Sequence, residues 1–496
     1  MSNLLSPASP SLEGESLETL KSVFFSGIGG HGMSVLAQIL AAEGVKVAGS
    51  DISRSPITEE LEKSGIEVFP QDGSHMGDAK VLGWSSAIEE DNPDIKKALE
   101  TGMRLAHRSD ILALLMREKD SVAVSGTHGK TTTSCLVSCI LLFAGKDPSW
   151  ALGSSFRTLD GAEPGWRKGE GKSFVAEADE SDGSLLKYAP FVSIVTNSDG
   201  DHFDHYDSIE AYRADLRAFV EHSEKCVMCM DDEGNREIFR SLSERDKSKV
   251  VGYGEGEFED LAKSLPDFAE ENYAKLEGVR LFDASSSVSS SFSLRFRGES
   301  TPVQMRLPGR HNDLNAAAAI LACSEVGVET SVAAQGASLF LGSSRRFELL
   351  GEEGGIKLFT DYGHHPTEIA ALLSALKSSY PQSRIGVMFE AFNSSRVVQF
   401  AKGFAESLSL ADLAVLAPLF IGRHTAEDAL DVKAEDIAKE AQKIGQGSKF
   451  KVVRNLEEGA RELSSWARPG DVLATIGAGT ISRANPEILN LLKEKL

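Results

Sequence analysis

No stretch of this 496-residue chain stays apolar long enough for a membrane helix, which needs roughly 18 consecutive residues. The longest candidate, residues 135–144, falls short. Residues 1–20 lack the positive segment and apolar core of a signal peptide and are polar, acidic and Ser-rich, so they read as a disordered leader. The expectation is a cytoplasmic chain with no membrane contact. Positive charge is also in deficit: 52 Lys and Arg face 74 Asp and Glu, a net charge of −22. Broad nucleic-acid binding is thereby excluded, while local capture of an anion by backbone dipoles and a few cations is not. Cysteine is scarce, with five residues and therefore no complete disulfide framework. Cys226 and Cys229 form a C-x-x-C, but no second Cys/His pair accompanies them, and the segment reads as a buried strand.

What the chain does have is a phosphate loop. Gly126, Thr127, His128, Gly129, Lys130, Thr131, Thr132 and Thr133 follow the apolar run 121–125 and precede the apolar run 135–144. Strand, glycine-bearing loop, Gly-Lys-Thr and helix hold nucleotide phosphates, because backbone N–H groups and the helix N-terminus converge on the anion. Lys130 would reach the β/γ-phosphates of ATP and the Thr131 hydroxyl would sit on Mg²⁺. A standard P-loop places four residues between its first Gly and the Gly-Lys pair. Here the position of that first Gly is Val124. The loop is shortened, which turns the reading away from ordinary kinases and GTPases.

The length predicts three domains. Residues 21–118 form an α/β unit: strand 21–26, helix 32–43, strand 46–50. Between the first strand and helix lies the G-x-G-x-x-G of Gly27, Gly29, Gly30, His31 and Gly32, and Asp51 ends the next strand, as a dinucleotide-type site requires. Alternatively this is a tight turn with no ligand. Residues 119–342 form the second unit, with surface insertions at 161–171 and 252–299 read as loops or irregular hairpins. Residues 343–496 form a third, with strands 356–360, 385–389, 413–416 and 472–476 and helices 369–379 and 397–408.

Acids and histidines gather at strand ends. Strand 173–176 runs into Glu177-Ala-Asp-Glu-Ser-Asp182, and oxygen ligands of this kind suit Mg²⁺. Strand 191–197 leads into Asp201, His202, Asp204 and His205. Asn312 and Asn315 share a face at the start of an Ala-rich helix; they would bond a base, or else cap and pack the helix. Arg345 and Arg346 sit at the second boundary, where one would meet a phosphate as charge develops or serve as a solvated linker. Asp361, Tyr362, His364 and His365 follow the third unit's first strand.

Taken in order, the Gly27 loop, the Gly126–Thr133 loop, the Glu177–Asp182 acids, Thr196-Asn197 with Asp201-His202, Gly309-x-His-Asn-x-x-Asn-Ala, Arg345-Arg-Phe-Glu and Asp361-Tyr-Gly-His-His-Pro resemble the Mur ligase family over about residues 21–482. The resemblance implies an α/β protein of three domains: a Rossmann-like N-terminal UDP-binding domain, a central P-loop-type ATPase domain and a Rossmann-like C-terminal domain for the amine. It implies an ATP-dependent ligase of peptidoglycan precursor synthesis. ATP with Mg²⁺ would phosphorylate the carboxylate of UDP-N-acetylmuramate, and the amino group of L-alanine would attack the acyl phosphate. By resemblance, Lys130, His202 and Arg346 carry the chemistry, Thr131, Glu177 and His202 bind metal, and Asn312, Asn315, Arg346 and Asp361 join the 126–132 loop on ATP. Gly29, Gly30, His31, Gly32, Asp51 and Ser85 fall to the UDP-sugar, and Tyr362, His364 and Arg396 to the amino-acid side. The third domain would close to deliver the amine. Monomer and homodimer are both open.

One motif departs. Where the family usually carries Phe-Gln-Pro-His-Arg-x-x-Arg, this chain has Phe389-Glu390-Ala391-Phe392-Asn393-Ser394-Ser395-Arg396, and Thr480 replaces the Asp of a late Gly-Ala-Gly-Asp-Ile. The rival readings are therefore a recycling ligase that attaches a tripeptide to the same sugar, and an ATP-binding homologue without ligase activity. A folylpolyglutamate synthase would lack the first domain, and an NAD-dependent dehydrogenase leaves the phosphate loop unexplained.

Overall fold

The computed structural model describes residue 7 and residues 11–200, 205–421 and 431–495. They divide into two compact units: Met1–Gly278 with Ser293–Val303 and Leu314–Phe340, and Val279–Phe292 with Gln304–Asp313 and Leu341–Leu496.

In the first unit, five parallel strands stand in the order Glu67–Pro70, Lys46–Asp51, Ser22–Ser26, Val81–Trp84, Arg104–His107. Val23, Phe24 and Phe25 are all buried, the continuous apolar run expected of a strand covered on both faces. The chain winds outward from Ser22–Ser26 in both directions, so the topological switch point lies between that strand and Val81–Trp84. Open α/β sheets bind ligands there, beyond the strand C-termini. Those termini carry the Gly27–Gly30 turn and Ser85.

The unit's second sheet has ten strands. Its Asp120–Ser125 strand lies parallel between Ser173–Glu177 and Val192–Val195, with Glu177 opposite Val124 and Val195 opposite Ser125. In-register parallel strands finish together, which collects the phosphate loop, the acid motif and Thr196-Asn197 at one sheet edge. Lys225–Cys229 is the expected buried strand, and burial pushes the Cys226 and Cys229 thiols up to about 12.

The second unit holds a six-stranded sheet in the order Glu348–Glu353, Ile356–Asp361, Val472–Ile476, Ile385–Phe389, Leu413–Leu416, Phe450–Val452, antiparallel at its first pair. Helices Pro366–Ser379 and Ser394–Leu408 bury Ile369, Leu372, Leu373, Leu376, Val397, Phe404 and Leu408 in its core.

Two expectations need correction. The leader is ordered over residues 11–20: Leu12 and Leu20 are buried, and Ser11 donates from N and Oγ to the Asp110 carboxylate at 3.1 and 2.8 Å. Leucines spaced among its polar residues give it a side to bury. The 252–299 insertion is not loop throughout: helix Phe258–Ser264 precedes strands Tyr273–Leu281 and Ser290–Phe296, consecutive neighbours in the sheet, so the hairpin alternative fits residues 273–296 and the loop reading fails.

Candidate active site

The phosphate loop is built on two backbone conformations that favour glycine. Gly126 has φ +123° and Gly129 φ +82°, a region costly for residues with a Cβ. Space closes the case: a Cβ on Gly126 would lie 2.7 Å from Asn197 O, and one on Gly129 2.6 Å from Asn315 Oδ1. The loop is clasped by the next strand's end. His128 O accepts from Thr196 Oγ1 at 2.6 Å and Asn197 Nδ2 at 3.0 Å, while His128 N donates to Asn197 Oδ1 at 2.9 Å. Thr127 Oγ1 meets Tyr212 Oη at 3.0 Å. Helix Lys130–Phe143 then begins with no side-chain cap on its N-terminus, leaving first-turn N–H groups and their partial charge for an anion.

Two carboxylates of the acid motif meet this loop. Lys130 Nζ donates to Glu180 Oε1 at 2.7 Å and to Gly126 O at 2.7 Å. Burial alone would lower the Lys130 pKa, but Glu180, Asp179 and Glu177 outweigh it and the net shift is upward. Thr131 Oγ1 donates to Glu177 at 3.0 and 3.1 Å, and Gly153 N donates to the same carboxylate at 3.1 Å. Thr131 and Glu177, the two residues that the family resemblance assigns to one metal ion, are hydrogen-bonded neighbours here. Their donors are all hard oxygens, the set a Mg²⁺ ion takes. His202, the other expected metal ligand, lies outside the described residues, as do Asp201 and Asp204.

The remaining acids of the motif turn toward the first sheet. Arg108 Nη2 donates to Asp179 Oδ2 at 2.7 Å and lies 3.6 Å from Asp182 Oδ2. Ser86 Oγ donates to Asp182 at 2.6 Å and lies 3.1 Å from His107 Nε2. Sequence reasoning passed over Glu180, Arg108 and His107. The available signal was charge density: four carboxylates within six residues need more than one cation nearby.

At the first sheet, Asp51 Oδ2 accepts from Gly29 N at 2.9 Å, so this acid shapes the glycine turn. Gly30 precedes helix His31–Ala42, whose first two residues, His31 and Gly32, are exposed. Ser85 is partly buried and turns the chain through Ile88 N to Ser85 O at 2.9 Å.

In the second unit, Arg346 is flanked by Arg345 at φ +58° and Phe347 at φ +48°, strained values for side-chain-bearing residues. Arg345 and Arg346 lie 4.8 and 5.1 Å from the Tyr362 ring centre, and Arg346 pairs with Glu368 at 3.2 Å. Asp361 accepts from Phe347 N at 2.8 Å and Gly363 N at 2.7 Å, so both its oxygens are engaged within the unit. Burial pushes its pKa up, against the pull of Arg346. His364 N donates to Glu368 at 2.9 Å. Asn312 and Asn315 both lie on helix Arg310–Glu325, and Asn312 Nδ2 donates to Pro308 O at 2.7 Å.

The altered motif is internally matched. Glu390 is buried and accepts from Thr480 Oγ1 at 2.7 Å and Ile481 N at 2.9 Å. Glu390 and Thr480 stand where the resembled family usually has Gln and Asp, and in this chain the two touch each other. Phe392 stacks on Phe420 at 5.8 Å, and Arg396 lies 5.6 Å from the Phe392 ring centre.

Comparison with known proteins agrees with this architecture. Residues 22–120 match the model of the Mur ligase family catalytic domain, 124–323 the Mur ligase middle domain, and 345–479 the Mur ligase glutamate ligase domain. The UDP-N-acetylmuramate--L-alanine ligase of Bifidobacterium adolescentis is 40% identical over 97% of this chain and 94% of its own. That of Bifidobacterium longum subsp. infantis is 41% identical over 96% and 94%. The solved UDP-N-acetylmuramate-alanine ligase of Thermotoga maritima superposes with TM-score 0.76 at 25% identity, covering 96% of this chain and 100% of that one. Three matched domains in order, on the α/β sheets described above, place this chain in the Mur ligase family.

Proposed function

We propose that this chain is an ATP-dependent ligase that joins L-alanine to the carboxylate of UDP-N-acetylmuramate in peptidoglycan precursor synthesis. The observation that carries the reading is its likeness to L-alanine ligases over 97% of its length, and the phosphate loop supplies matching chemistry. These relatives favour L-alanine over the tripeptide alternative.

The reaction is division of labour by position. Phosphoryl transfer demands alignment and charge neutralisation more than covalent help. Lys130, poised on Glu180 beside the loop carbonyls, is the cation for the transferring phosphate. Thr131 and Glu177 would hold Mg²⁺, which supplies charge neutralisation at the phosphates. His202 is assigned to a second such ion. Arg346 serves the γ-phosphate, Asn312 and Asn315 the adenine, and Asp361 braces the Arg346 turn from which ATP is met. Gly29, Gly30, His31, Gly32, Asp51 and Ser85 are assigned to UDP, and the nearness of the Gly27–Gly30 turn and Ser85 to the switch point supports that assignment. Tyr362, His364 and Arg396 face the amino acid. The sugar carboxylate becomes an acyl phosphate, the amine attacks it, and phosphate leaves as the amide forms. Residues 21–118, 119–342 and 343–496 are assigned to sugar, ATP and amine, and the work is placed in the cytoplasm.

The test is ADP and phosphate formation by the full chain. It should require UDP-N-acetylmuramate and L-alanine together, and Lys130→Ala should abolish it in a chain that still folds, at the lower stability that loss of the Glu180 pair brings. Phosphate release independent of the amine would refute the reading.

A further inference from the structure

The loop Glu177–Asp182 faces two ways. Glu177 and Glu180 reach Thr131 and Lys130 of the phosphate loop. Asp179 and Asp182 reach Arg108, Ser86 and His107 at the end of the first sheet. Each outward aspartate spends its other oxygen on the loop itself: Ser181 N donates to Asp179 Oδ1 and Ser184 N to Asp182 Oδ1, both at 3.1 Å. The loop's shape is thus tied to where Arg108 holds it. Arg108 is in turn fixed by its place, one residue past the Arg104–His107 strand, at the first position of helix Arg108–Met116.

Charge explains why such a tie is needed. Four carboxylates in six residues repel one another, and salt screens groups this close and partly buried much less than exposed ones. Two cations divide them, Lys130 on one side and Arg108 on the other. Asp179 also acts on Lys130 electrostatically. With Arg108 removed, Asp179 and Asp182 would be left to compete with Glu180 for the lysine and to push Glu177 away from Thr131.

We propose that Arg108 is a positioning residue for phosphoryl transfer: by holding Asp179 and Asp182 it sets Glu177 and Glu180 on the phosphate loop, and through Ser86, next to the proposed sugar residue Ser85, it ties that setting to the UDP-sugar end of the first sheet. This rests on the ligase reading above. In this assignment Arg108 acts through the two aspartates and is given no contact of its own with ATP or metal. Arg108 Nη2 lies 2.7 Å from Asp179 Oδ2 and 3.6 Å from Asp182 Oδ2, and arginine suits the task because its guanidinium stays charged and sheds hydration more readily than an ammonium.

The experiment compares wild type, Arg108→Ala, Arg108→Lys and Asp182→Asn as full chains. Steady-state ligation should show kcat reduced about 10–100-fold in Arg108→Ala, the range typical when a group that orients a metal ligand is lost. The Mg²⁺ concentration for half-maximal rate should rise, and the KM for L-alanine should stay put. Arg108→Lys should recover part of kcat, and Asp182→Asn should shift the same quantities less. Calorimetric ADP binding at varied Mg²⁺, with no sugar or amino acid present, should weaken in Arg108→Ala. A rise in the UDP-N-acetylmuramate KM alone, with kcat and Mg²⁺ dependence unchanged, would overturn the proposal by making Arg108 a direct sugar ligand. Loss of kcat that only follows a lowered melting temperature across all three variants would overturn it too. A wild-type chain that fails to ligate would count against the functional reading, while the ADP-binding result would still judge Arg108.

Discussion

Lys130 and Glu180 form a hydrogen-bonded ion pair at 2.7 Å, with the Glu180 side chain wholly removed from solvent. The pair lies between the loop that should grip phosphate and the acid motif that should govern it. Breaking a buried pair by neutralising one partner costs about 3–5 kcal/mol, so Glu180→Gln should lower stability by roughly that amount, read by denaturant unfolding. The folded pKa of Lys130 is raised above its unfolded value. Its stabilisation is therefore fully present below the unfolded lysine value of about 10.4 and is lost as pH rises through the folded one. The gap between wild type and Glu180→Gln should hold at neutral pH and narrow in strong alkali.

Thr131→Val keeps the shape of the side chain and removes the oxygen that meets Glu177. Mg²⁺-dependent ADP formation should fall at least about 10–100-fold, with the half-maximal Mg²⁺ concentration raised. A Mg²⁺ titration of the variant at saturating substrates measures this.

Gly129→Ala tests the loop's backbone. Left-handed conformation costs an ordinary residue about 1–2 kcal/mol, and the new methyl would sit 2.6 Å from Asn315 Oδ1. The variant should melt lower and lose ATP turnover, both measurable on one preparation by thermal scan and phosphate release.

The Glu390–Thr480 contact predicts a double-mutant cycle. Thr480→Asp alone would set two carboxylates together in a buried place and should destabilise the chain. Glu390→Gln combined with it should restore much of the loss, with a coupling energy of about 0.5–3 kcal/mol. Unfolding free energies of the four species check this.

His107 predicts acid sensitivity. Burial, aided by Arg108 and Lys187, lowers its pKa to about 4 despite Asp182 and Asp110. A histidine whose folded pKa lies below its unfolded value of about 6.5 gives stability that is present above that value and lost as pH falls toward about 4. Stability should decline over this window, and His107→Gln should flatten the decline in unfolding measured at stepped pH.

Much of the fold was legible because its central strands are short apolar runs between turns. The segments 385–389, 413–416 and 472–476 are strands over those same residues. The edge strands Glu348–Glu353 and Phe450–Val452 escaped notice, since their charged, half-exposed residues carry no apolar run. Helix Lys130–Phe143 starts five residues before its apolar stretch, because its first turn is Lys-Thr-Thr-Thr and serves the loop. At the site, the gathering of the Gly126–Thr133 loop and the Glu177–Asp182 acids at strand ends was legible from residue type, while the link between Thr131 and Glu177 came from the family resemblance. Which acids of Glu177–Asp182 turn toward Lys130 and which toward Arg108 was not legible, since an irregular loop has no period from which to read facing. Likewise the Glu390 and Thr480 changes read separately as losses, and only contact across the sheet end makes them a pair.

The most direct test of the account is amine-dependent phosphate release with ATP, Mg²⁺ and UDP-N-acetylmuramate, run against L-alanine, L-serine, glycine and the recycling tripeptide. Release should be driven by L-alanine above the others and lost in a folded Lys130→Ala variant. Release driven by the tripeptide with none from L-alanine, or full release in Lys130→Ala, would contradict it.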